Sequence, residues 1–377
     1  MIDKERLAAT FTELCETDSP SRHEGAIAAR LKEIWATLSP NESFEDDSAE
    51  KTGSESGNLF FRFKGTNDGK PLFLNCHMDT VEPGIGVRVK REGDLFTSAG
   101  NTILGSDDKS GIAALIEAMR IIHEQKLPCR PVEFVFTTCE EIGLLGAKAL
   151  NPEHITAKFG YALDSSGTGR VIIGAPAANR LNIEINGIAA HAGLHPEWGV
   201  NALMLAAQAL SRMPNGRIDD ESTVNFGTVC GGVASNIVPE QITIEGEVRS
   251  HSQRKLTELT ETIEQIFNST IHNWQDPTGA AKGIPSVQFQ STLDFPLMQL
   301  RRQSEVVREI KQAAQSISME LDLVKAGGGS DANIFNGYGL PTAIIATGMT
   351  NVHSTGEQVQ LKDMVAVTRL ILALLTR

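Results

Sequence analysis

Pro71-Leu-Phe-Leu-Asn-Cys-His-Met-Asp79 is an apolar run that turns polar at His77. Two further runs repeat the pattern: Val132-Glu-Phe-Val-Phe136 leads to Glu140-Glu141, and Phe159-Gly-Tyr-Ala-Leu163 leads to Asp164. Short apolar runs of this kind read as strands buried on both faces. Between the first two, Ile112, Leu115, Ile116, Met119 and Ile122 recur at helical spacing over Gly111 to Gln125. Strands alternating with helices predict an α/β fold, a mostly parallel sheet flanked by helices. Such a sheet binds ligands outside the carboxyl ends of its strands. His77, Glu140, Glu141 and Asp164 all fall there.

Outward from this core the pattern changes. Residues 3 to 38 read as helical with a break at Asp18-Ser-Pro-Ser21, and Lys51 to Gly57 as a polar loop. From Ala178 to Thr292 the order is strand (Leu181 to Asn186), helix (Asn201 to Arg212), strands (Thr223 to Val229 and Gln241 to Arg249), helix (Gln253 to Asn273) and strand (Ser286 to Gln290). This βαββαβ order is the ferredoxin-like split unit. A helix (Glu305 to Ile317), a Gly-rich turn (Gly327 to Ser330) and a strand (Thr342 to Ala346) then return to the first style. The expected organisation is a catalytic domain of residues 1–177 and 293–377, interrupted by an inserted α+β domain of residues 178–292. The length of 377 residues suits two cores better than one.

Composition narrows the function. With 34 basic and 47 acidic residues the net charge is −13, which argues against a nucleic acid or an anionic membrane as partner. An anionic substrate must therefore meet a local basic group. The five cysteines are scattered and form no Cys-x-x-Cys pair, as suits a reducing compartment. Asp3, Lys4, Glu5 and Arg6 stand where a secretory signal needs an apolar run. The expectation is a soluble, cytoplasmic protein.

Taken singly, each chemical motif has an ordinary reading. His77-Met-Asp79 is either a metal ligand with its supporting carboxylate or a strand end with two polar residues. Asp107-Asp108-Lys109 opens a helix, where acids favour the dipole without any ligand. Glu140-Glu141 could be an exposed helix start, Asp164-Ser-Ser-Gly167 a turn, and His353 a solvated loop histidine. Together they amount to two imidazoles and several carboxylates on one rim. Two divalent ions require that inventory: an imidazole and a carboxylate for each, a bridging carboxylate, and one carboxylate left over as a base.

Six stretches carry a family resemblance: Asn75-Cys-His-Met-Asp-Thr80, Gly105-Ser-Asp-Asp-Lys-Ser-Gly111, Thr138-Cys-Glu-Glu-Ile-Gly143, Leu163-Asp-Ser-Ser166, Ala189-Ala-His-Ala-Gly193 and Asn351-Val-His-Ser354. In this order they resemble the M20 metallopeptidases, and most of all the peptidase T branch. The resemblance implies a zinc-exopeptidase-like catalytic domain with an inserted lid and dimerisation domain. It also implies two divalent metal ions, zinc or else manganese or cobalt, with His77 and Asp164 on one, Glu141 and His353 on the other, and Asp107 bridging. Asp79 would orient His77, and Glu140 would be the general base. The Asp107–Asp108 peptide bond would be cis. His191, Asn236 and Arg249 would bind the substrate and its developing oxyanion, Arg249 by gripping a carboxylate. The turn Gly328-Gly-Ser-Asp331 either offers backbone N–H groups, from Gly328 to Ser330, to the substrate or is a plain turn. A homodimer through the inserted domain, with His191 serving the partner's site, completes what the resemblance implies.

Three other readings compete. Glu140-Glu-Ile-Gly-Leu-Leu-Gly-Ala147 is similar to the M42 aminopeptidases, but that family inserts its extra domain between the first His and the bridging Asp. Here only 30 positions separate them, while 189 separate Asp164 from His353. A carboxypeptidase, an N-acyl amino-acid deacylase or an amidohydrolase would share the same metal motifs. A non-catalytic scaffold would be expected to have lost a ligand or Glu140, and none is missing.

Overall fold

The structure, a computed structural model, describes residues 2–377. It divides into two compact units: one ends at Ala175 and resumes at Met298, and the other is Pro176–Leu297.

The first unit is built on a nine-stranded sheet. In spatial order its strands are Glu42–Glu45, Leu59–Phe63, Val132–Thr137, Leu72–His77, Gly160–Ala162, Thr342–Ile345, Arg170–Ala175 and Met298–Gln299, with Asp322–Lys325 also paired to Arg170–Ala175. Its centre is parallel: Leu72–His77 runs alongside both Val132–Thr137 and Gly160–Ala162, and Thr342–Ile345 alongside Gly160–Ala162. Antiparallel strands flank this centre. The central strands Leu72–His77 and Val132–Thr137 are buried at every position, as their mostly apolar sequences require.

Helices pack on this sheet through apolar stripes. Gly25–Ala36 inserts the fully buried Trp35, whose ring lies 5.2 Å from Phe61 and 4.4 Å from Phe134, centre to centre. Loss of so large a buried ring, as in Trp35→Ala, would cost about 3–5 kcal/mol. Ser106–Gln125, Lys4–Cys15 and Leu361–Leu375 pack against one another. The Arg6 guanidinium joins the first two, its Nε lying 2.8 Å from Glu117 Oε2.

The second unit has a five-stranded antiparallel sheet in the order Gly216–Arg217, Ser222–Gly231, Gln241–Ser250, Ala177–Asn186, Ser286–Phe295. The helices Ala202–Leu210 and Gln253–His272 bury Leu205, Ala209, Leu256, Ile263 and Phe267 against it. Ser286–Phe295 runs five residues past the predicted end, with exposed side chains over most of the added length, as an edge strand allows.

Candidate metal centre

Parallel register brings the predicted residues to one edge of the sheet. His77 is level with Thr137 and Asn75 with Ala162, so Glu140-Glu141 and Asp164 leave the sheet beside His77. The helix Ser106–Gln125 begins there as well. Asp107 and Asp108 depart from helical backbone angles, and the peptide bond between them is cis.

Asp107 lies between two imidazoles. Its Oδ1 is 3.1 Å from His77 Nε2 and its Oδ2 is 3.3 Å from His353 Nε2, which is also 3.0 Å from Glu141 Oε2. His77, Asp107 and Glu141 each offer one ligand atom, all within 4.8 Å of one another. His77 Nδ1 faces the Asp79 carbonyl oxygen at 2.9 Å. With Nδ1–H donated to that carbonyl, a neutral His77 would leave Nε2 as the ligating atom, the usual way a metal-binding imidazole is oriented; while charged, its Nε2–H donates to Asp107. The fully buried Asp79 carboxylate does more than face His77. Oδ1 accepts the Glu140 N–H at 2.9 Å, while Oδ2 accepts the Glu141 N–H at 3.2 Å and the Ser21 hydroxyl at 2.6 Å. It therefore fixes the backbone of both glutamates relative to the His77 strand.

The electrostatics ask for a cation. Burial pushes Asp164 up to about 7, helped by the negative charge of Asp107 and Glu141 against the pull of His77. Burial raises Glu140 well above the carboxylate range, with Asp164, Asp331 and Glu141 adding to the effect against His77. It raises Glu141 too, against the hydrogen bond from His353. Asp107 is the exception: burial would raise it, but hydrogen bonds from His353 and His77 hold it well below the usual range. His353 is drawn up to about 10 by its hydrogen bonds to Asp107 and Glu141. Burial opposes a charged His77, yet Asp107, Asp79 and Glu140 hold it well above its ordinary value. Glu141 Oε1 is buried without a hydrogen-bond partner. Carboxylates crowded at such a site, with an orphaned oxygen and two imidazoles, fit divalent cations.

Two acidic residues at this site escaped the sequence reading. Glu357 is buried, and its carboxylate accepts hydrogen bonds from Leu104, Gly105, Ser106 and Asp107. Asp331 is buried, accepts the Thr137 hydroxyl and is pushed by burial up to about 6. It closes the Gly328-Gly-Ser-Asp331 turn, which drew notice only for its backbone. Ser330 caps the helix Asp331–Gly337: its hydroxyl accepts the Ala332 N–H and its own N–H goes to Asn333 Oδ1. That places Ser330's donors within its own helix.

His191, Asn236 and Arg249 belong to the unit Pro176–Leu297. His191 Nδ1 accepts N–H groups from Gly193 and Leu194, each at 3.2 Å. In a neutral ring the proton then sits on Nε2. The Asn236 carbonyl accepts the Ala192 N–H at 2.9 Å, so these two residues are neighbours. Arg249 pairs with Glu247 at 2.9 Å, its guanidinium carbon 5.9 Å from the centre of the Phe295 ring.

No helix among the described residues is long and apolar enough to cross a membrane. Residues 73–377 match the family model of "Peptidase family M20/M25/M40". The chain is 36% identical to the Bacillus subtilis (strain 168) "Uncharacterized protein YqjE", over 100% of its own length and 99% of that protein's. It is 25% identical to Escherichia coli (strain K12) peptidase T, over 74% of its own length and 66% of that protein's. Among solved structures it is similar to aminopeptidase PepT from Bacillus cereus, with a TM-score of 0.89 and 37% identity, covering 100% of this chain and 98% of that one. A Staphylococcus aureus tripeptidase aligns with a TM-score of 0.91 and 33% identity over the same shares. Sheet, inserted unit, metal-ligand cluster and sequence agree, and the chain belongs to the M20/M25/M40 family of metallopeptidases.

Proposed function

We propose that the protein is a two-metal exopeptidase that removes the N-terminal residue from short peptides. The observation that carries this reading is the Asp107 carboxylate, with one oxygen turned to each of two imidazoles. In this reading His77 and Asp164 would hold one ion, Glu141 and His353 the other, and Asp107 would serve both. Zinc suits these N and O donors, as would manganese or cobalt. When bound, such ions supply Lewis acidity to the substrate carbonyl and acidify water.

The chain's own residues do the rest. Glu140 takes a proton from the attacking water on its carboxylate and delivers it to the leaving amine. Asp79 holds His77 and the backbone of Glu140 in register. Once the carbonyl oxygen gains charge, His191 donates from Nε2 to it with Asn236 nearby. Arg249 exchanges Glu247 for the substrate carboxylate, and Gly328 contributes a backbone N–H beside the substrate. The similarity to an aminopeptidase and a tripeptidase favours peptides with a free N-terminus.

The reading extends to a cytoplasmic homodimer formed through the inserted unit. Its sheet ends in an edge strand, Ser286–Phe295, and its helix Ala202–Leu210 exposes Leu203 and Met204. Edges and apolar faces of this kind are what two-fold pairing covers.

Di- and tripeptides with free or blocked N-termini, assayed under a defined metal, test the activity. Cleavage that requires the free amine supports the aminopeptidase. Equal cleavage of N-acylated substrates would replace it with a deacylase, and cleavage that requires only a free C-terminus with a carboxypeptidase.

A further inference from the structure

Residues Asn351 to Gly356 form a largely exposed loop, yet Glu357 at its end is 1% exposed. Its Oε2 accepts the N–H groups of Leu104 and Gly105, both at 2.8 Å. Its Oε1 accepts the Ser106 hydroxyl at 2.6 Å and the Asp107 N–H at 2.9 Å. An ionised carboxylate has about four acceptor positions, and this one fills them all with donors from four successive residues. Gly105, at φ 79°, turns the chain so that these donors converge. A buried carboxylate is tolerated when it is satisfied in this way.

The two imidazoles beside Asp107 are held by different means. His77 ends a central strand, is 2% exposed and has Nδ1 on Asp79. The side chain of His353 is 53% exposed, and its backbone has a φ of 58°, a conformation non-glycine residues adopt under constraint. Bonds inside the 351–357 loop, such as Ser354 hydroxyl to Asn351 O, shape that loop but do not attach it to Asp107. Glu357 does attach it, four positions after His353.

We propose that Glu357 is a positioning residue that sets the His353 half of the centre against Asp107, so that the ion shared by Asp107, Glu141 and His353 depends on it more than the His77 ion does. This rests on the two-metal reading above. Glu357→Gln keeps the shape but turns an NH2 group toward one pair of donors. Disturbing an outer partner of this sort costs roughly 10–100-fold in metal affinity.

The test is titration of the metal-free full-length chain with Zn2+ alone, read by calorimetry and by elemental analysis after dialysis, with Co2+ absorption as a second probe of each filling step. Wild type should take two ions. E357Q should weaken the first far less than the second, which should bind roughly 10–100-fold more weakly, with loss of the second Co2+ spectral step. Ser106→Ala, which removes one of the four bonds, should weaken the second ion in the same direction by less than about tenfold, and it carries the test if E357Q does not fold. Wild type binding fewer than two ions overturns the two-metal reading and this coupling together. Two ions in wild type, with both weakened equally or neither weakened in the variants, overturns the role of Glu357 alone.

Discussion

Metal binding to the empty centre should expel protons, and the count follows from the side chains present. A ligating imidazole must be neutral. His353 is held up at about 10 and His77 well above its ordinary value, so at pH 7 each carries a proton that the metal must displace. Asp164, pushed by burial up to about 7, is partly protonated there and adds to the count. Filling both positions at pH 7 should thus release at least about two protons, one from each imidazole, with Asp164, Glu141 and Glu140 adding to that number. The direction is that affinity rises with pH. Each released proton contributes tenfold per pH unit, so the product of the two binding constants should climb by at least about two decades between pH 6.5 and 7.5. Calorimetric titration of Zn2+ in buffers of different ionisation enthalpy gives the proton count directly. Asp164→Asn should lower it. Release of less than one proton for two bound ions would refute the assignment of both histidines as ligands.

Neighbouring glutamates should fail differently: Glu140→Ala should retain both ions and lose at least about 10²–10⁴-fold in kcat, whereas Glu141→Ala should lose one ion on elemental analysis. A chelator should abolish activity and lower the melting temperature while leaving far-UV circular dichroism at 25 °C unchanged, because the core around Trp35 and the central sheet needs no metal. Arg249→Lys should impair cleavage of peptides with a free C-terminal carboxylate far more than of their amides, since only the guanidinium offers two parallel donors; equal impairment would make Arg249 structural. Refolding Glu140→Ala chains with an equal amount of His191→Ala chains should restore about a quarter of wild-type activity if His191 acts across a dimer, and none if it acts within its own chain.

The parallel centre of the sheet was legible because strands buried on both faces are mostly apolar, and Leu72–His77 and Val132–Thr137 are, with Asn75 and Glu133 the polar exceptions inside them. The inserted unit was legible from its element order. Asp322–Lys325 went unread because a four-residue flanking strand is defined by its neighbour's hydrogen bonds more than by its own pattern, whereas Arg170–Ala175 did carry a signal in Val171-Ile-Ile173. The helix Leu361–Leu375 did carry a signal, in Leu361, Met364, Val367, Ile371 and Leu374 at helical spacing. At the site, His77, Asp107, Glu141 and His353 stood out by residue type and motif. Glu357 had no such mark, because its partners lie about 250 positions back along the chain and their convergence exists only in the fold. Asp331 stayed hidden inside a turn whose glycines drew attention instead.

The strand Thr342–Ile345 fills the gap between Gly160–Ala162 and Arg170–Ala175, two segments made long before it. During synthesis the ribosome must deliver the whole of Pro176–Leu297 before this strand can arrive, and His353 and Glu357 come later still. At roughly 5–20 residues per second the inserted unit has several seconds in which to fold by itself. Meanwhile Met298 re-enters beside Ala175, its antiparallel partner, so the long excursion returns next to the place where it left. A truncated chain that stops short of His353 can carry most of the carboxylates of this centre, but it lacks one of the two imidazoles facing Asp107. Translation order thus completes the surroundings of Asp107 near the end of synthesis, with only the strand Gln358–Gln360 and the helix Leu361–Leu375 still to follow.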